Sequence, residues 1–195
     1  MKTKHIILAA TLAVCGIMTA CNPGNQAKHE EAVQADTIAS DKPALLVAVD
    51  RYLVDSIASN YASGEFSIPC VPMTCVTSTD STDVKVWGDF WVFNYNKVGD
   101  TLKCVSGGNH PGLMHMRKVG DNYEVFAFEQ VEDGAGNEAS ARKIFGENYD
   151  AFNAVNSDEQ YRAKALRDAI IDYVKQNGLT AKYCQDYGRP AVSLE

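Results

Sequence analysis

The chain predicts an α+β domain: an N-terminal helix, a curved antiparallel sheet of four to five strands in meander order, and two C-terminal helices. Three observations carry this. Apolar residues recur at steps of three and four over 45–61. Short β-rich runs separated by glycine-containing turns occupy 66–131. A helical period then returns over 138–174.

The elements follow in order. Asp41 and Pro43 are helix start signals. Leu45, Leu46, Val49, Leu53, Ile57 and Tyr61 then share one face before Gly64 stops the helix. Residues 66–77, FSIPCVPMTCVT, are rich in β-formers, and Pro69 and Pro72 confine them to an edge or a bulge. Residues 83–95, DVKVWGDFWVFNY, carry the strongest strand signal. Strands over 101–106, 112–119 and 122–131 come next, with hairpin turns at Val98-Gly99-Asp100 and Val119-Gly120-Asp121-Asn122. A helix from Glu138 to Val155 presents Ala141, Ile144, Phe145, Tyr149 and Phe152 and is weakened at Gly146. Ser157-Asp158-Glu159-Gln160 reads as a capping box. The last helix places Tyr161, Leu166, Ile170, Tyr173 and Val174 on one face and stops at Gly178.

Ahead of this domain the chain opens MKTKHIILAATLAVCGIMTAC. Lys2 and Lys4 form a positive start, and Ile6 to Met18 is an apolar run too short to span a bilayer, which takes about 20 residues. Met18-Thr19-Ala20-Cys21 resembles the lipobox of bacterial lipoproteins, with Met18 where Leu is commoner. The resemblance implies that residues 1–20 are a signal peptide removed by signal peptidase II and that Cys21 carries the lipid. Cys15 is the poorer candidate, because Val14 before it is not small. Two or more acyl chains hold a protein stably on a membrane, where one holds only marginally. Asn22, where Asp favours inner-membrane retention in such lipoproteins, implies a place in the cell envelope at the outer membrane. Residues 21–43 are polar and lack a sustained apolar period, so they read as a flexible tether to a single domain at 44–195.

Charge excludes one class of partner. The 18 Lys+Arg lose two lysines with the leader, leaving 16 against 25 Asp+Glu, a formal charge of −9. With no basic stripe to offset this, nucleic-acid binding is not expected. Export allows Cys70, Cys75, Cys104 and Cys184 to oxidise, in any of three pairings, but their spacing matches neither a redox CxxC nor a zinc knuckle. No metal or other cofactor is expected.

Three stretches are candidate sites. VSGGNHPGLMHM, residues 105–116, holds His110 and His115 among turn formers. It reads as a turn between two strands rather than a ligand loop, because Asn109-His110-Pro111-Gly112 suits a turn and five-residue spacing puts the histidines on opposite faces of a strand. Cys104 and His110 could in principle form a nucleophile–base pair across that turn. In the aromatic strand, Trp87, Asp89, Trp91, Phe93 and Tyr95 share a face unless Gly88 marks a bulge. An inward Asp89 would lose hydration and gain the pKa of a general base. The preferred reading is the bulge, with Asp89 in solvent and the aromatic residues as core. Glu129, Glu132, Asp133 and Glu138 surround Gly134 and Gly136, but their spacing departs from a calcium-binding loop and reads as solvated.

A helix leading into a curved antiparallel sheet resembles, by architecture alone, the cystatin-like and nuclear-transport-factor-2-like (NTF2-like) folds, whose concave face forms a pocket. Those folds lack the two closing helices expected here, and they host both enzymes and binding modules. The expectation is a membrane-anchored envelope lipoprotein acting as a non-catalytic ligand- or protein-binding or assembly module. The alternative is an isomerase- or hydrolase-like small-molecule enzyme with an Asp89-centred aromatic pocket. The candidate binding residues are Trp87, Asp89, Trp91, His110 and His115.

Overall fold

The computed structural model describes residues 42–77 and 80–195. The leader, Cys21 and most of the tether lie outside these. Helix α1, Ala44–Tyr52, begins after Pro43, whose carbonyl accepts the N–H groups of Leu46 and Val47. It runs on through a π-helical turn, Leu53–Ile57, and a 3₁₀ turn, Ala58–Asn60. The wide turn inserts one extra residue. The buried position after Leu53 is therefore Ala58, five residues on, rather than Ile57, which is only partly covered.

The sheet is curled and has six strands: β1 Phe66–Thr77, β2 Val84–Val98, β3 Thr101–Val119, β4 Asn122–Gln130, β5 Tyr183–Gln185 and β6 Val192–Ser193. Strands β1 to β4 form the antiparallel meander, with two-residue turns at Gly99-Asp100 and Gly120-Asp121. The sheet is mixed rather than purely antiparallel. The short β5 runs parallel to the start of β3, pairing Leu102 with Cys184, and β6 returns antiparallel to it.

Alternation along β2 divides the molecule into two layers. Val84, Val86, Phe90 and Val92, with Met114 and Met116 of β3, pack against Ala48, Val49, Leu53 and Ala58. The opposite face lies under the C-terminal helices: α2 Asn137–Phe145, α3 Tyr149–Ser157 and α4 Glu159–Gln176. The single helix expected over 138–155 is two, because Gly146 takes φ 53° and breaks the hydrogen-bond ladder. The last helix is capped one residue later than the box suggests: the Asp158 carboxylate accepts the Tyr161 N–H at 2.9 Å.

Candidate functional site

The glycine-rich stretch 105–116 is the middle of one long strand and not a turn. Strand β2 pairs with it residue by residue from Asn94↔Ser106 to Val84↔Met116. Its turn-forming residues serve other needs. Gly107 sits beside the bulge where Val105 is the extra residue, with φ 137°, and a Cβ there would strike the Val92 carbonyl. A Cβ on Gly112 would collide with the Glu129 carbonyl oxygen and meet the Phe128 ring at 2.8 Å. Pro111 costs no bond to β2. Its carbonyl faces the other edge, accepting the Val131 N–H at 2.9 Å, and a missing N–H on that edge breaks no ladder.

Asp89 is fully buried, which corrects the outward placement expected for it. No bulge occurs at Gly88: Gly88 and Asp89 stand in register opposite Gly112 and Pro111. Glycine is required at 88 because a Cβ would lie 2.6 Å from the Phe90 ring. Asp89 therefore points under the C-terminal helices, where the Trp91 indole is its hydrogen-bonding neighbour and the Arg162 guanidinium its opposing charge, although neither makes a short, well-aligned bond to its oxygens. The Nε1 of Trp91 and the Nε of Arg162 likewise make no short, well-aligned bond. The Arg162 guanidinium lies over the Trp91 ring, 4.8 Å from its centroid, and donates through Nη1 to the Asn156 carbonyl at 3.1 Å. Burial pushes the Asp89 carboxyl above its usual range, and the adjacent indole and guanidinium only partly oppose this.

These groups lie in a seam between two apolar clusters. On one side Trp87 packs with Val131, Ala141, Phe145 and Phe152 and donates its indole N–H to the Ile144 carbonyl at 2.8 Å. On the other, Ile68, Tyr95, Leu102 and Ile170 pack together. Asp89 and Trp91 belong to neither.

The histidines stand apart from the seam and from each other. His110, opposite Phe90, is on the α1 face. Its Nε2 lies 3.0 Å from the Tyr61 hydroxyl and its Nδ1 3.2 Å from Gln130 Oε1. Because Gln130 Oε1 can only accept, the neutral ring is protonated at Nδ1 and Nε2 accepts from Tyr61. Burial, and then the charge of Asp133, raise the Tyr61 pKa, which keeps that hydroxyl a donor. His115, opposite Lys85, is on the other face at the rim, with Nδ1 2.8 Å from Asp83 and Nε2 3.0 Å from Glu129. Burial lowers its pKa, but the two hydrogen bonds and the carboxylate charges outweigh that, and the net shift is upward.

The remaining candidates disperse. Cys104 lies opposite Tyr95 on the helix-covered face, and burial followed by the Asp186 charge raises its thiol pKa. It cannot act with His110 on the other side of the sheet. Cys104 and Cys184 are free thiols. Of the acidic loop, Glu129 serves His115 and Glu138 pairs with Arg142. Among the described residues no three His, Cys, Asp or Glu side chains are placed to hold a metal ion. Two clefts, of about 500 and 370 Å³, flank the helical turn at Arg51 and Asp55, and neither is lined by Trp87, Asp89 or Trp91.

Of the five sequence candidates, then, only Asp89 and Trp91 share a site. Sequence reasoning missed Arg162, although Arg162, Leu166 and Ile170 fall at four-residue steps, which places a cation in register with the apolar stripe of α4. No protein-family model, no curated protein and no solved structure matches the chain.

Proposed function

We propose that this is a lipid-anchored envelope protein whose folded domain is a non-catalytic binding module, with its site at the Asp89–Trp91–Arg162 seam. The anchor is inferred from the lipobox-like Met18-Thr19-Ala20-Cys21, and the outer membrane from Asn22. One observation supports the site above all others: a fully buried carboxyl whose only polar neighbours, the Trp91 indole and the Arg162 guanidinium, make no short, well-aligned bond to it. Leaving a buried polar group unsatisfied costs about 1–3 kcal/mol. A chain that retains such a group at a position where an apolar side chain would stabilise the layer carries it for a purpose other than folding.

An acid–base enzyme is the second reading, favoured by the raised pKa of a carboxyl among aromatic rings. It needs room for a substrate beside that carboxyl, and neither cleft at Arg51 and Asp55 is lined by Asp89. The experiment is the melting of Asp89→Asn against wild type at neutral pH. A site retained at the expense of stability gives a variant that melts higher, and a structural aspartate gives one that melts lower.

A further inference from the structure

The larger cleft, of about 500 Å³, lies between α1 with its π-helical turn and the β3–β4 hairpin. Small-molecule sites run from ~300 to ~1,000 Å³, so it has room for a ligand. Arg51, Tyr52 and Asp55 line its helical side, and Asn122 and Tyr123, at the start of β4, line the other. Among the described residues none of these side chains makes a hydrogen bond or an ion pair. The π-helical turn accounts for two of them. In a regular α-helix Arg51 and Asp55, four apart, would be neighbours and pair. The wide turn over Leu53–Ile57 intervenes, and the two charges stay unpaired. Such turns recur at functional sites. Glu124, also on the rim, is taken by Arg117, at 3.0 Å from Nε and 2.8 Å from Nη2.

The remaining charges balance in sign, and that balance selects the ligand. A simple anion meets Arg51 but is repelled by Asp55, and a simple cation meets the reverse. A purely apolar molecule would strip water from Arg51, Asp55 and Asn122 and replace none of its hydrogen bonds. A neutral molecule with many hydroxyls and apolar C–H faces answers every group. Its hydroxyls donate to Asp55 and to the Asn122 carbonyl oxygen and accept from Arg51 and the Asn122 amide, while its C–H faces cover the tyrosine rings.

We propose that this cleft binds a neutral saccharide, its sugar ring on Tyr52 or Tyr123 and its hydroxyls on Arg51, Asp55 and Asn122. Tyr52 is held for this role by edge-to-face packing on Phe128, with ring centroids 6.2 Å apart, so ordering it costs little when the sugar binds. The cleft is a second site. Asp89, Trp91 and Arg162 are not among its lining residues, and the outcome at the seam leaves it untouched.

The test is saturation-transfer NMR of the full-length protein with three neutral disaccharides, cellobiose, maltose and N,N′-diacetylchitobiose. Glucosamine and glucuronate serve as cationic and anionic sugars. The expected result is saturable transfer to the C–H protons of at least one neutral disaccharide, exceeding that to either charged sugar at the same concentration. Arg51→Ala and Asp55→Ala are each expected to weaken that binding about fivefold or more, the loss of a hydrogen bond to a charged group. Both side chains are exposed, so the variants keep the fold. No transfer to any of the three neutral sugars, equal transfer to glucuronate, or binding unchanged in both variants overturns the proposal.

Discussion

His115 holds a carboxylate at each ring nitrogen, and this geometry couples one side chain to pH. Its folded-state pKa is raised, so the pair of ion contacts stabilises the fold fully below the unfolded-state value of about 6.5 and fades as pH rises through the folded-state value. The melting temperature of His115→Gln should therefore fall furthest below wild type on the acid side of neutrality, and the gap should narrow as pH rises. A gap independent of pH would mean that the ring acts by packing alone, against the nearby Phe126 ring. His110 has a different character: it is fixed between Tyr61 and Gln130 and closes the end of the α1 layer against the sheet.

Strand β3 shows how one element can be misread from correct local signals. Asn109, Pro111 and the glycines at 107, 108 and 112 are turn formers, yet the stretch is extended because β2 pairs with it along its length. Its glycines answer close approaches: at Gly108 a Cβ would lie 2.6 Å from the Tyr61 hydroxyl. Those neighbours are far away in sequence, so nothing local could reveal them. Gly112→Val should lose about 1–3 kcal/mol through overpacking against the Glu129 carbonyl and the Phe128 ring, measured by denaturant unfolding. Wild-type stability in that variant would contradict the β3–β4 register. The legible elements are α1, β2, β4 and α4, and β1, whose signal is its wealth of β-formers. The π-helical turn and the short strands β5 and β6 are not legible, since each is set by packing rather than by its own residues. At the seam, the alternation of β2 pointed to the shared face of Asp89 and Trp91, but Gly88 suggested a bulge that the Phe90 ring makes unnecessary.

At the scale of the whole molecule, the proposed function joins a lipid anchor to a domain with a carboxyl buried in its apolar interior. For the anchor, Cys21→Ser should move the protein from the membrane pellet to the soluble fraction and abolish metabolic labelling with palmitate. A protein that stays in the pellet with its label carries the lipid elsewhere. For the interior, the central claim is that Asp89 lowers the stability of the fold it sits in. A carboxyl whose folded-state pKa is raised stabilises the fold, relative to its ionised form, below the unfolded-state value of about 3.9, and that stability is lost as pH rises through the folded-state value. Asn keeps the size and the neutral charge of the protonated acid at every pH. The most direct measurement is the unfolding free energy of Asp89→Asn and wild type across a pH series. The two should coincide below about pH 4 and then separate as pH rises, until the variant is more stable by about 1–3 kcal/mol. A variant less stable than wild type at neutral pH would show that the ionised carboxylate is an anchor of the fold, and would contradict the claim.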